Sequence, residues 1–121
     1  FGEELGAIPY TVFMTKESTL AEKELVESFT TALYKAQKWV YSASSEEVAK
    51  AIAPYFEDTE QAIIEQVVTR YRDQESYAKD PIIDEQEFQN LLDVMTEAGV
   101  LDFKPSYEDL VNRSFADAVV K

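Results

Sequence analysis

Carboxylates are the commonest reactive groups in this chain, and their spacing sets what they could do. Neighbouring acids stand at Glu3 and Glu4, at Glu46 and Glu47, and at Asp84, Glu85 and Glu87. Two carboxylates can divide general-acid and general-base work when their surroundings push their pKa values apart. Most of these fall in first helical turns, however, where negative charge favours the positive end of the helix dipole. Capping and solubility account for them. No alternation of acids around a central glycine makes a calcium loop, and glycines at positions 2, 6 and 99 cannot build a phosphate cradle. The chain has neither histidine nor cysteine, which removes imidazole bases, thiolate nucleophiles, disulfides and the usual zinc, copper and haem ligand sets. Arg70 and Arg72 flank Tyr71, and Arg113 lies near the end. A guanidinium can clamp a carboxylate, sulfonate or phosphate through parallel hydrogen bonds, but among 24 acidic residues ion pairing is the plainer use. The segment from Glu3 to Tyr10 joins two carboxylates, Gly6 and an aromatic ring ahead of a strand-prone run. Loops at strand ends commonly carry ligand contacts; the competing reading is an ordinary strand entry with Tyr10 packed on a sheet.

The elements that would position these groups follow from hydrophobic period. Over 19–42, Leu25, Val26, Phe29, Ala32, Leu33, Ala36 and Val40 recur at helical spacing and gather into one apolar stripe, with Trp39 on its edge. Buried against later segments, such a stripe would contribute on the order of ten kcal/mol as an upper bound. Tyr34 and Tyr41, seven residues apart among Lys23, Glu27 and Lys38, fall on the side expected to face water. Tyr10 to Met14 are strand-prone, and a lone strand leaves both edges unpaired, so it must pair with a missing sheet or with another copy of itself, giving a homo-oligomer.

Capping boxes punctuate the rest. Thr19 with Glu22 opens the long helix, Ser44 with Glu47 a second that Pro54 ends or kinks, and Asp58 with Gln61 a third. Asp84 with Glu87 opens a fourth, closed by Gly99 in a left-handed cap, and Ser106 with Asp109 a last one through Val111, Phe115 and Ala118. The expected organisation is a loop and strand over 1–18 and a helical unit over 19–121, made of the long helix 19–42 and four shorter ones. The fold class is mainly α with one short N-terminal strand.

Composition narrows the function. Hydrophobic residues at 45% and aromatics at 12% are enough for a folded domain despite the charge. A net charge of −13 repels phosphate backbones and anionic lipid surfaces, so neither nucleic acid nor membrane surface is an expected partner. No metal or other cofactor is expected. No apolar run reaches the roughly 18 to 20 residues that span a bilayer. The chain begins at Phe1, which points to a removed leader or to a piece of something longer.

Taken in order, GAIPYTVFMTKESTL, ELVESFTTALYKAQKWV, EEVAKAIAPYF, RYRDQESYAKDPIIDEQEF, LLDVMTEAGVLDF and YEDLVNRSFADAVV resemble the C-terminal third of substrate-binding proteins of bacterial ABC importers. The branch is the one that includes binders of nitrate, sulfonates, taurine and thiamine-pyrimidine precursors. The likeness covers nearly the whole chain and rests on six short patterns in order, with no single diagnostic motif. It implies a parent with two α/β lobes of the periplasmic-binding-protein fold, closing on a small ligand and delivering it to an ABC permease. The setting it implies is extracytoplasmic, either periplasmic or lipid-anchored at the outer face of the cell membrane. It implies that Tyr10 to Thr15 is a crossover strand of that sheet, that Tyr34 and Tyr41 face the absent lobes, and that Glu3, Glu4 and Tyr10 are ligand-binding residues. No catalytic residue is implied. Tyr77 stands where relatives often carry tryptophan. Two alternatives fit the sequence as well: a fragment of a pyrimidine-synthesising enzyme of the same fold superfamily, and a free-standing acidic helical interaction module.

Overall fold

The computed structural model describes residues 6–121. Among them are seven α-helices: α1 Glu17–Leu20, α2 Lys23–Ser42, α3 Ser45–Ile52, α4 Gln61–Asp73, α5 Glu85–Glu97, α6 Tyr107–Leu110 and α7 Ser114–Val119. A 3₁₀ turn, Ala53–Tyr55, follows α3 where Pro54 removes a backbone donor. The chain divides into two compact units, one of Phe29–Pro81 and one of Ile82–Val119 with the chain up to Ser28. The architecture is mainly α, as the hydrophobic period predicts.

Local chemistry explains the best-formed helix ends. At the start of α3, the Ser44 hydroxyl accepts from the Glu47 N–H at 3.1 Å, and the Glu47 carboxylate accepts from the Ser44 N–H at 2.9 Å. Asp84 and Glu87 build the same box on α5. Gly99 has φ +69° and lets the Val100 N–H reach back to the Met95 carbonyl at 3.0 Å, closing α5. The same closure ends α4, where the Ser76 N–H donates to the Tyr71 carbonyl at 2.8 Å, but the left-handed position there is Glu75, at φ 55°.

Several sequence expectations are not met, each for a local reason. Thr19 lies inside α1, and its backbone carbonyl receives the Glu22 N–H; the long helix therefore starts at Lys23, with the Glu22 carbonyl accepting from Leu25 and Val26. The cap of α4 is Glu60 without a side-chain bond, in place of Asp58. The expected last helix is split: Val111 is extended, and the Asn112 Oδ1 accepts from the N–H and hydroxyl of Ser114, so the chain restarts there as α7. No strand occurs among the described residues, and 10–15 is irregular with a bend at Thr11. Strand-prone residues form a strand only with a neighbouring strand to pair with.

Each unit has a small core. In Phe29–Pro81, Val48 and Ala49 of α3 pack with Ile64 and Val68 of α4, flanked by half-buried Val40, Ala43, Ile52 and Ala53. In the other unit Phe88, Leu92 and Ala116 are buried, and the Phe88 ring meets Tyr107 edge-on at 5.6 Å. The stripe predicted to anchor α2 is not buried: Leu25, Phe29, Ala32 and Ala36 are exposed, and Val26, Leu33 and Val40 are half-buried. Thr30 is the buried residue of α2.

Two measurements check these ends. Ser44→Ala should lower the unfolding free energy by about 1 kcal/mol in urea melts. Hydrogen bonds from the Ser44 N–H and hydroxyl hold the Glu47 pKa below its ordinary 4.5. A lowered folded pKa contributes stability that is complete above the unfolded value and is lost as pH falls through the folded one. The deficit of Ser44→Ala should therefore shrink on acidification below about pH 4.5, with no change between pH 6 and 8. Glu75→Gly should raise stability by about 1 kcal/mol, since glycine accepts the left-handed backbone without a Cβ clash; a loss of stability would contradict that.

Candidate functional site

The loop proposed from sequence for ligand contacts is held by α5. Gly6 has φ +72°, which turns the chain so that the Ala7 carbonyl accepts from the Asn90 Nδ2 at 3.0 Å. Asn90 is itself oriented by its neighbour one turn earlier, because the Gln86 Nε2 donates to the Asn90 Oδ1 at 2.9 Å. A Cβ on Gly6 would stand 3.0 Å from the Asn90 side-chain nitrogen, so both the backbone sign and the close approach favour glycine there. Ile8 and Pro9 are half-buried, while Tyr10 is 89% exposed. Glu3 and Glu4 lie outside the described residues. Sequence reasoning named the loop but missed Asn90 and Gln86, whose only signal was an amide pair at i, i+4 on a helix face.

The other polar cluster belongs to Phe29–Pro81 and reverses an expectation. The Tyr41 hydroxyl donates to the Tyr77 carbonyl at 2.5 Å, and the Gln37 Nε2 donates to the Asp80 carbonyl at 2.9 Å. The Tyr77 ring lies 6.5 Å from Tyr41, edge-on, and 5.7 Å from Tyr71. Burial, the larger influence, raises the Tyr77 pKa, with Tyr71 adding to it. Tyr41 is therefore half-buried, with its hydroxyl engaged inside its own chain. Tyr34 is half-buried, with the Lys38 ammonium 4.3 Å above its ring. The Arg72 Nε and Nη2 and the Gln37 Oε1 are out of water without a hydrogen-bond partner. This is a packing arrangement that satisfies a loop backbone.

Of the acidic groups considered from sequence, Glu47, Asp84 and Glu87 are engaged at helix N-termini. Glu47 is a cap, as described, and Asp93 takes hydrogen bonds from Lys104 and Gln89 that lower its pKa. Arg113 donates to Asp117 from both Nε and Nη2, at 2.8 to 3.1 Å, which lowers the Asp117 pKa. Among the described residues no three acids converge to hold a metal ion, and no helix is long and apolar enough to cross a membrane. A shallow open trough runs along α4, lined by Ala62, Glu65, Gln66, Thr69, Arg70 and Asp73. Its walls come from that helix, so it lacks the opposing surface that encloses a ligand.

Comparison with known proteins adds one relative, described in its own name as a binding protein. It is the Bacillus subtilis (strain 168) protein "Putative binding protein YtlA", 42% identical over 120 residues. The match takes in 98% of this chain but 36% of YtlA, so the chain spans about a third of the length of the relative it matches. No family model and no solved structure matches the chain.

The loop anchor gives a test. Gly6→Ala and Asn90→Ala should each cost about 1 kcal/mol or less, and the double variant should cost less than the sum because both undo one docking contact. Proteolytic cleavage within 6–10 should quicken in all three. Strict additivity with unchanged cleavage would mean the loop is held by something else.

Proposed function

We propose that this chain is one part of a solute-binding protein that captures a small molecule, a sulfonate, nitrate or pyrimidine-like compound, for an ABC importer outside the cytoplasm. One observation carries the proposal: the 42% identity to YtlA runs through nearly the whole chain while leaving about two thirds of YtlA unmatched. The six sequence patterns that resemble this transporter branch supply the solute classes. The chain works here by binding and closure, without catalysis, and hands its cargo to a permease. Capture by closure requires the ligand to bind the closed state better than the open one, and that requires surfaces from both lobes. Tyr10, with Glu3 and Glu4 seven and six positions before it in the sequence, is the contribution we assign to this chain.

The test compares two proteins: the isolated 121-residue chain, and a full-length graft in which this chain replaces the matched third of YtlA. Isothermal titration with taurine, nitrate and an aminopyrimidine should give no specific heat with the isolated chain. The graft should bind one of the three, and Tyr10→Ala should weaken that binding about tenfold, a loss of roughly 1.4 kcal/mol. Micromolar binding by the isolated chain would mean that the site is complete within it. A folded graft silent to all three would overturn the assignment of solute class.

A further inference from the structure

We infer that the outward face of α2 is the seat on which the remainder of the longer polypeptide packs, the part corresponding to the two thirds of YtlA outside the match. This rests on the preceding proposal that the chain is part of a longer protein. Leu25, Ala32, Ala36 and Trp39 stand at intervals of seven, four and three, and Phe29 falls in the same register. At 100° per residue they lie on one narrow face, and 14 residues at 1.5 Å give a seam about 21 Å long. Leu25 is 55% and Trp39 40% exposed, and both alanines are exposed. Two small residues between large ones form a notch that lets another helix approach closely, because interaxial distance follows the side chains at the crossing.

The opposite face of α2, through Tyr34, Gln37 and Tyr41, is already engaged within Phe29–Pro81. An exposed apolar seam beside an occupied polar one inverts the usual solvent pattern of a surface helix. The unit holding most of that seam is small, with Val48, Ala49, Ile64 and Val68 as its buried cluster, and it also exposes Ile63, Val67 and Tyr71 at i, i+4 and i+8 on α4.

A second copy fits this face poorly. Five side chains along one helix offer well under the roughly 800 Å² per partner that a stable complex buries, and each copy carries a net charge of −13, which opposes self-association. A segment joined covalently needs less buried area, since its docking costs no translational freedom.

The test uses the isolated chain and the YtlA graft, each with Ala32→Glu plus Ala36→Glu, and with Glu27→Gln as a charge change at an exposed position on another face of α2. In the isolated chain the glutamate pair should shift Tm by no more than about 2 °C, because glutamate is a good helix former and both positions meet water. In the graft it should lower Tm by roughly 5 to 10 °C, as two charges are forced into an apolar seat, while Glu27→Gln stays within about 2 °C in both. Equal Tm for the graft with and without the pair overturns the inference. So does an isolated chain that loses as much as the graft, a concentration-dependent dimer that the pair dissociates, or a graft that never yields soluble monomer. A graft that binds no solute but is destabilised by the pair refutes the transport proposal alone; one that binds solute and tolerates the pair refutes the docking alone.

Discussion

Backbone carbonyls in an irregular segment must find donors, and this requirement settles which way α2 turns. The chain leaves α4 through residues 74–81 without a ladder or helix to satisfy it. The Tyr77 and Asp80 carbonyls are met by Tyr41 and Gln37 of α2. A buried carbonyl left without a donor costs about 1 to 3 kcal/mol, comparable with burying one leucine or phenylalanine side chain. Two such bonds and an aromatic pair on the same face are enough to draw a polar–aromatic face inward. The other unit uses the same device, with the Tyr107 hydroxyl donating to the Ile83 carbonyl at 2.5 Å while its ring packs on Phe88. In each case a tyrosine supplies apolar area and a donor together.

The apolar seam of α2 is then left outside. In a chain that kept all its hydrophobic surface to itself, that seam would be the core. Here the cores are a handful of side chains in each unit, and large residues such as Tyr55, Val100, Phe103 and Leu110 stay exposed as well. The relative that this chain matches is nearly three times as long. The acidic balance fits the same economy: carboxylates sit on helix N-termini and in exposed i, i+4 pairs such as Arg113 with Asp117, where they keep the remaining surface soluble.

What was legible in the sequence was what depends on three or four consecutive residues. The boxes at Ser44–Glu47 and Asp84–Glu87 and the left-handed Gly99 are formed as read, because their geometry is complete within one turn. Thr19–Glu22, Asp58–Gln61 and Ser106–Asp109 have the same spelling, yet none forms the side-chain box, although Ser106 does stand at the start of α6. Neighbouring backbone took the donors at Thr19, the helix began at Gln61 behind Glu60, and the hydroxyl of Ser106 makes no capping bond. The inward face of α2 could not be read from period, since an amphipathic pattern tells which residues share a side but not what else in the chain needs that side. For the candidate site, the loop at Gly6 was visible as a turn, whereas its anchor, Asn90, lies 83 residues away and has no pattern linking it to the loop. Tyr10 is exposed, and Glu3 and Glu4 lie outside the described residues.

Trp39 is the chain's single tryptophan, and it reports directly on the central claim that the apolar face of α2 points outward. Acrylamide quenching of its fluorescence in the isolated chain is the decisive measurement. With Trp39 40% exposed, the quenching constant should stand well above that of a buried indole and be unchanged by Tyr41→Phe or by dilution. A constant as low as that of a buried tryptophan, in a monomer at low concentration, would mean that the seam is covered by the chain's own core and would contradict the account.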